Sequence, residues 1–175
     1  FGRFQRVRLL GKSQHIMAWL VMDRDEQEFM LAIPRVQLTG QGMQDWQQKA
    51  RRAARLNHPH LAQPVEVGEF DRWPYAAYER GTAVTWAERF SRQGIPAADL
   101  AAWVVQAAQG LAYAHEAGVA HRDLQPFMLS VDEGGQVKVL GLDLAGRGGE
   151  SHGALDELRA VRDAAHAYSQ ERLAP

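Results

Sequence analysis

The sequence predicts an α+β fold in which a five-stranded sheet with one helix is followed by a mainly helical unit. Apolar and polar residues alternate through much of residues 1–80, as expected for strands that bury one face. Beyond Gly81, apolar residues recur at helical spacing, most clearly from Leu100 to Ala114. Residues 1–80 and 81–175 are therefore predicted to form two structural units.

The first unit shows five strand-like runs and one helix. Three runs open the chain: FQRVRLLG, MAWLVMD and EFMLAIPRVQL. Residues 45–56 (DWQQKARRAARL) are mostly strong helix formers, and Pro59 ends this helix because residues before a proline avoid the helical region. Two further strands, VEVGEF and WPYAAYE, flank a charged turn at Asp71 and Arg72.

The second unit begins with two helices. Thr85 is the expected N-cap of the first, TWAERFSRQ, and AADLAAWVVQAAQGLAYAHEAG forms the second. MLSVDEGGQVKVLGLD then reads as a hairpin that turns at residues 132–135. A glycine-rich stretch, GRGGESHG, leads into a last helical pattern, ALDELRAVRDAAHAY.

Composition narrows the classes of partner. The chain has 175 residues, 46% of them hydrophobic, which is enough for a folded core. Its 20 basic and 21 acidic residues nearly cancel, so no preference for nucleic acid or an anionic membrane is expected. Absence of Cys excludes thiolate chemistry and fits a cytoplasmic location. The chain starts at Phe1 rather than Met, so we expect a piece of a longer protein, with a membrane-anchored protein as one alternative.

Several landmarks follow one another in a specific order. They are Leu10-Gly11, LAIPR, NHPHL, PYAAYE and HEAGVAHRDLQP. This order resembles the bacterial Hanks-type (eukaryotic-like) Ser/Thr protein kinases from about Phe4 to Leu173. The resemblance implies a kinase-like two-lobe fold, with an N-lobe at 1–80 and a truncated C-lobe at 81–175. AYSQERL would then be a degraded end of the activation segment.

In the glycine-rich loop that the resemblance implies, Gly11 is kept but Ser13 and Ile16 replace the second and third glycines. A β-branched Ile does not easily take the backbone angles of a phosphate-binding turn. An ordinary hairpin without phosphate binding is therefore expected here.

The resemblance also implies a lysine on the third strand and a glutamate on the helix, which pair in kinases. Pro34 and Lys49 stand at these positions. We expect Lys49 to be solvated, to pair elsewhere or to help swing the helix outward. Lys12 and Arg35 are candidate replacement cations, although Arg35 should point to the opposite face from Pro34.

The catalytic-base position, Asp123, is retained together with His121 and Arg122, but Gln125 replaces the lysine that usually follows. The two metal-ligand positions of the family hold Met128 and Gly141 instead of Asn and Asp. A thioether is not a ligand that Mg²⁺ prefers. Asp143 lies two residues beyond Gly141, about 6–7 Å along an extended chain, which is too far to replace it.

The adenine site is also altered: Ala32 is retained, but Ser130 and Ala18 replace larger apolar residues that the resemblance implies. His121 and Leu142 are expected to pack in the core, and Arg122 to bind local carbonyls or carboxylates. Three tryptophans are expected to be core or interface anchors: Trp46, Trp86 and Trp103. No His pair has the context of a metal site.

The sequence therefore predicts a pseudokinase that is not an enzyme and has no cofactor, metal or catalytic residue. It would act as a regulatory or protein-interaction module for an active kinase or a neighbouring domain of the same polypeptide, with no nucleic acid or membrane partner. Candidate surfaces are the helix, the cleft and residues 146–168, where Ser151 and Tyr168 are possible phosphorylation sites. The alternative is an unorthodox nucleotide-dependent phosphotransferase with Asp123 as base and Lys12, Arg35 or Lys49 as cation. A truncated lobe stabilised by a neighbouring copy or domain is a third reading.

Overall fold

The computed structural model describes residues 1–92, 94–145, 156–157 and 159–163. Its first unit is the predicted five-stranded sheet, which is antiparallel throughout. The strands are β1 (Gln5–Lys12), β2 (Ile16–Met22), β3 (Glu28–Pro34), β4 (Glu66–Phe70) and β5 (Trp73–Glu79). They lie side by side in the order β1-β2-β3-β5-β4. The two edges of the sheet are therefore β1 and β4.

One helix, α1 (Gly40–Ala53), connects β3 to β4 and packs on the inner face of the sheet. It begins earlier than the predicted residue 45, because tertiary packing offsets the low helix propensity of its first glycines. Trp46 and Ala50 lie one turn apart and bury against Ala32 and Ala76 of the sheet. These small side chains allow the helix to approach the strands closely.

The second unit contains a small sheet and two helices. Its elements are β6 (Val84–Thr85), α2 (Trp86–Arg92), α3 (Ala97–Glu116), β7 (Leu129–Val131) and β8 (Val137–Val139), which pair as β6-β7-β8. Both helices and the β7–β8 hairpin confirm the sequence prediction. Strand β6 was not predicted, since two residues are too short to show an alternating pattern.

The predicted cap of α2 forms. The Glu88 amide donates to Thr85 Oγ1 at 3.2 Å, and the Thr85 amide donates to the Glu88 carboxylate at 2.8 Å. This reciprocal pair is a capping box. Thr85 thus both ends β6 and fixes the start of α2.

The core of the second unit surrounds α3. The Trp86 and Trp103 rings lie 5.8 Å apart within it, and both side chains are buried, as is Trp46 in the first unit. The predicted core role of these tryptophans is therefore confirmed. The helical residues 156–157 and 159–163 add Val161 to the same core.

Two predictions concern residues beyond the described part of the chain. The candidate phosphorylation sites Ser151 and Tyr168 lie outside it, as does the AYSQERL segment. Among the residues that are described, no helix is long and apolar enough to cross a membrane. The boundary between the two units at residue 80 stays a prediction.

Candidate functional site

The tip of the β1–β2 hairpin lies on the loop that carries Asp123. Ser13 Oγ accepts hydrogen bonds from the amides of His15 (3.1 Å) and Ile16 (3.0 Å), which closes the turn. The same hydroxyl donates a short hydrogen bond to the Asp123 carboxylate. Gln125 Nε2 donates to the other Asp123 oxygen at 3.4 Å. The catalytic-base position is therefore occupied by side chains of the chain itself.

Phe127 fills the space beneath the hairpin. Its ring packs so close to Gly11 that a Cβ atom at that position would overlap it. Phe127 is buried together with Ile16, which stands at a former glycine position of the loop. Gly11 therefore serves close packing between the two units in this conformation.

Neither candidate cation near Pro34 points to an open nucleotide site. The Arg35 amide donates to the His15 carbonyl, and Arg35 Nη1 donates to the Ser13 carbonyl, both at 2.8 Å. Arg35 thus supports the hairpin tip from outside. Lys12 is exposed at the end of β1, and Pro34 is buried opposite Ile16 at the end of β3.

Lys49 forms an ion pair that the sequence did not predict. Lys49 Nζ lies 3.9 Å from Asp143 Oδ1, and Arg122 Nε lies 3.3 Å from the same oxygen. Trp46 Nε1 donates to the Leu144 carbonyl at 3.1 Å, so α1 is held at two adjacent points of this segment. Of the three outcomes expected for Lys49, pairing elsewhere is the one that occurs.

Met128 and Gly141, which stand where the kinase resemblance implies metal ligands, contact each other through apolar packing. The Met128 methyl group lies against Gly141, whose positive φ of 75° suits a residue without a side chain. The Gly141 amide donates to the Tyr78 hydroxyl at 3.2 Å. Burial raises the pKa of Tyr78, so this hydroxyl is protonated near neutral pH.

The adenine region is almost filled. It is a cavity of about 20 Å³ at the edge of the cleft. Its lining residues are Leu10, Met30, Glu79, Arg80, Ala83, Val84, Thr85, Ser130 and Leu140. Ligand pockets typically measure roughly 300–1,000 Å³, so this cavity is much smaller than a usual ligand site.

Hydrogen bonds between charged residues join β1 of the first unit to α2 of the second. The buried Glu88 carboxylate accepts a hydrogen bond from Arg80 Nη2 at 2.8 Å and a short one from Arg8 of β1. Burial alone would raise the pKa of Glu88, but the Thr85 amide and Arg80 outweigh it and lower the pKa to about 2. Glu88 is therefore ionised at neutral pH and links β1 to α2.

A second acid, Glu157, is hydrogen-bonded to the loop that carries Asp123. Its carboxylate accepts from the Arg122 amide at 2.6 Å and pairs with His115 Nε2 at 2.6 Å. His121 is fully buried, and its Nε2 donates to the Leu140 carbonyl at 2.6 Å. Burial lowers the pKa of His121, which favours the neutral ring. The burial of His121 agrees with its predicted core role, and the pair of the Arg122 side chain with Asp143 agrees with the expected carboxylate contact.

Sequence reasoning did not name Glu88 and Glu157 as site residues, and it did not predict that Asp143 pairs with Lys49 and Arg122. Only Glu88 had a usable signal, since it stands three residues after Thr85 in a capping-box pattern. In the described ranges, no three His, Asp or Glu residues gather in an arrangement that could hold a metal ion. That the degenerate positions carry no catalytic, metal or cofactor function stays a prediction.

The fold and the retained catalytic loop define a protein-kinase-type domain. The kinase domain of PknI from Mycobacterium tuberculosis has the same fold, with a TM-score of 0.70 at 21% identity over 96% of this chain and 72% of that one. No family model matches the chain.

Sequence relatives give the same class. The serine/threonine-protein kinase PknI of Mycobacterium tuberculosis is 30% identical over 149 residues, which are 80% of this chain and 25% of that protein. A probable serine/threonine-protein kinase of Streptomyces coelicolor is 31% identical over 133 residues, 73% of this chain and 20% of that protein. The chain is thus homologous to the bacterial Hanks-type Ser/Thr protein kinases, and it spans a quarter or less of the length of these relatives.

The comparisons correct one prediction. The expectation that the chain is not an enzyme is contradicted, because the relatives that it matches are named serine/threonine-protein kinases. The prediction relied on single positions such as Pro34 and Gly141, whereas the homology extends over most of the chain.

Proposed function

We propose that this domain acts as a regulatory or protein-interaction module of kinase fold, in which its own side chains hold the nucleotide cleft closed. The observation that carries the proposal is the contact between Ser13 and Asp123. A hydroxyl at a general base is the arrangement that phosphoryl transfer requires of an acceptor. Here the hydroxyl belongs to the chain, so Ser13 occupies the place of a substrate hydroxyl.

The packing of the cleft supports the same proposal. Phe127 and Met128 of the second unit share one apolar cluster with Ile16 and Met30 of the first. Interiors of this kind are close-packed, so opening the cleft would break contacts on both sides. A partner that binds one unit and shifts the hairpin would change the state of the other, which suits a regulatory module.

The partners that we propose are proteins: an active kinase, or a neighbouring domain of the same polypeptide. The nearly balanced charge of the chain gives no reason to propose nucleic acid. We retain the cytoplasm as the proposed location, since the chain has no Cys.

A second candidate function is a nucleotide-dependent phosphotransferase with Asp123 as base, and two observations favour it. The relatives are named protein kinases, and Asp123 sits at hydrogen-bond distance from a hydroxyl. Lys49 and Arg122 both lie near Asp143, which stands two residues after Gly141. This function requires release of Ser13 and Phe127.

Thermal unfolding with ATP, with and without Mg²⁺, separates the two candidates. Ligand at about 100 times its Kd stabilises a binder by roughly 2.7 kcal/mol, a shift of several degrees for a domain of this size. We expect no shift for the wild-type chain at millimolar ATP. A reproducible shift would overturn the closed cleft and favour the phosphotransferase.

Ser13→Ala tests the contact itself. Loss of the hydroxyl should increase hydrogen–deuterium exchange at the amides of residues 13–16, because two of them donate to Ser13 Oγ. Ser91→Ala is the matched control, since this exposed residue donates its hydroxyl hydrogen bond to the Glu88 carbonyl of its own helix. Equal exchange in both variants at residues 13–16 would mean that Ser13 does not hold the hairpin closed.

A further inference from the structure

We propose that a groove on the outer face of the five-stranded sheet binds an arginine side chain of a protein partner. This inference rests on the proposed interaction function and assigns it a surface. The outer face is the one turned away from α1, where Phe29, Leu31 and Ile33 of β3 form a separate apolar cluster. The groove lies at one end of this face and is open to solvent.

The groove combines aromatic rings with charged residues at its rim. Its volume is about 320 Å³, at the lower end of the range for ligand pockets. The lining residues are Phe1, Arg6, Met17, Trp19, Ile33, Phe70, Asp71 and Trp73. Four of these eight are aromatic, and Phe70 keeps 46% of its surface exposed. The other three aromatic residues, Phe1, Trp19 and Trp73, are partly buried.

A filled site of the same chemistry lies on the same face of the sheet. The Arg3 guanidinium carbon lies 4.5 Å from the centre of the Phe4 ring and 5.2 Å from that of Phe29. Arg3 also pairs with Asp23 at 3.2 Å and with Glu66 at 3.1 Å. One guanidinium is thus held by aromatic rings and carboxylates together, a combination in which each contact supports the other.

The groove also combines aromatic rings with a carboxylate, but at one of its ends no guanidinium of the described residues lies between them. Asp71 is exposed, and its carboxylate makes no ion pair within the part of the chain that the structure describes. Phe70 and Trp73 flank it. At the other end Arg6 lies 5.3 Å from the Trp19 ring, so that aromatic surface already has a cation. The open end is therefore Phe70, Asp71 and Trp73.

The β4–β5 turn fixes the position of this open end. Asp71 and Arg72 both have left-handed backbone angles, with φ of 49° and 62°, as in the tight turns that join twisted antiparallel strands. Phe70 and Trp73 are paired directly across the hairpin. Left-handed residues other than glycine carry a conformational cost, and they are frequent at functional sites.

Arginine matches the open end better than other side chains. A carboxylate would be repelled by Asp71, and an apolar side chain would leave this charge without a partner. A guanidinium stacks flat on an aromatic ring and forms two parallel hydrogen bonds to a carboxylate, whereas an ammonium group does neither as well. Arg3 shows that this fold already holds a guanidinium in such a setting.

The test is an NMR titration of the whole 175-residue chain with the peptide acetyl-Ala-Arg-Ala-amide. The comparison peptide contains citrulline, which has nearly the same shape without the charge. We expect saturable shifts at the amides of residues 70–73, and affinity about fivefold weaker or worse for the citrulline peptide. Equal binding of the two peptides, or no saturable shift at these amides with millimolar peptide, would overturn the proposal.

Asp71→Asn is the informative variant, because Asn also tolerates the left-handed backbone and keeps the turn. It should weaken the arginine peptide about fivefold. The matched control is Asp25→Asn, an exposed acid in the β2–β3 turn, which should change nothing. If both variants bind as the wild type does, Asp71 does not recognise the guanidinium. Concentration-dependent shifts at residues 70–73 without peptide would mean that a second copy fills the groove, which would also overturn the proposal.

This titration does not depend on the cleft. Peptide binding can fail while ATP leaves the melting temperature unchanged, and then only the assigned surface is lost. If ATP raised the melting temperature while the arginine peptide still bound at residues 70–73, the proposal of a closed cleft would be overturned. The proposal that the groove binds arginine would stand.

Discussion

Glu88 illustrates how a single buried charge joins the two units. Its side chain is 7% exposed, and it bonds to Arg80, Arg8 and the Thr85 amide. A buried carboxylate is costly unless several donors surround it. Because Arg8 comes from β1 and Glu88 from α2, this pair links the two units.

The depressed pKa of Glu88, about 2, makes stability depend on pH. Its contribution to the free energy of unfolding is complete above the unfolded-state pKa, near 4.5, and is lost as the pH falls toward 2. Glu88→Gln should destabilise the chain by about 3 kcal/mol at neutral pH, because the buried Arg80 loses the closer of its two carboxylate partners, Glu88 and Glu28. Urea unfolding of both proteins between about pH 7 and pH 3 should show this difference shrinking as the pH falls.

The control is Glu69→Gln, which changes an exposed carboxylate on β4. Its effect should be within about 0.5 kcal/mol at every pH. A difference between Glu88→Gln and the wild type that stays constant down to pH 3 would show that the Glu88 charge does not stabilise the fold.

Residue identities predicted the site only where a motif fixed the expectation. Ser13, Pro34, Lys49 and Met128 could be placed because the kinase resemblance assigns each a position. Their new contacts could not be predicted, since the Lys49–Asp143 pair depends on how α1 lies over the second unit. Glu157 gave no signal, because one acid in a helical pattern is more often solvated.

At the level of elements, the β1–β2 hairpin depends on one close approach. Gly11→Ala would place a methyl group inside the Phe127 ring, so the hairpin or the ring must move. We expect destabilisation of roughly 1–3 kcal/mol, as for other overpacked sites. Gly11→Ala combined with Phe127→Leu should recover part of this loss, because the smaller side chain leaves room. Chemical denaturation of the single and double variants measures both values.

Gly42→Ala is the matched substitution. This glycine lies in α1 with no atom within 4 Å of an added Cβ, so Ala should be neutral or stabilise by about 0.5–1 kcal/mol. If Gly11→Ala behaved as Gly42→Ala does, the contact with Phe127 would not hold the hairpin in solution.

Elements with a long, regular pattern were predicted well. β2 and β3 are continuous apolar runs that are largely buried, and the spacing of apolar residues in α3 reflects the face that this helix buries. Element ends were less accurate: α1 starts at Gly40 because Trp46 and Ala50 pack on the sheet, and glycine propensity alone argues against a helix there. The two-residue strand β6 arises from pairing with β7, a tertiary contact that no local pattern encodes.

At the scale of the whole molecule, three sets of contacts join the two units. Arg8 of β1 bonds to Glu88 of α2, and the Phe127 ring packs against Gly11 of β1. Lys49 reaches Asp143 from α1 on the inner side. The lobes are thus coupled by charge as well as by packing, and a partner bound to either lobe acts on one continuous core.

The C-terminal helical residues complete this coupling through Glu157. The carboxylate is 2% exposed and holds both the Arg122 amide and His115. Glu157→Ala should cost about 3 kcal/mol, because the Arg122 amide and the half-buried imidazole of His115 lose their acceptor. Glu157→Gln should cost less, since its amide oxygen still accepts from Arg122. Guanidinium unfolding followed by tryptophan fluorescence measures both.

Asp156→Ala removes the neighbouring acid, which is exposed and pairs with Arg159 one turn away. Surface pairs of this kind contribute little, so a change within about 0.5 kcal/mol is expected. A loss in Glu157→Ala no larger than in Asp156→Ala would mean that the helical residues do not support the loop around Asp123. A much larger loss would show that the position of the catalytic loop depends on a residue 35 positions further along the chain than Arg122.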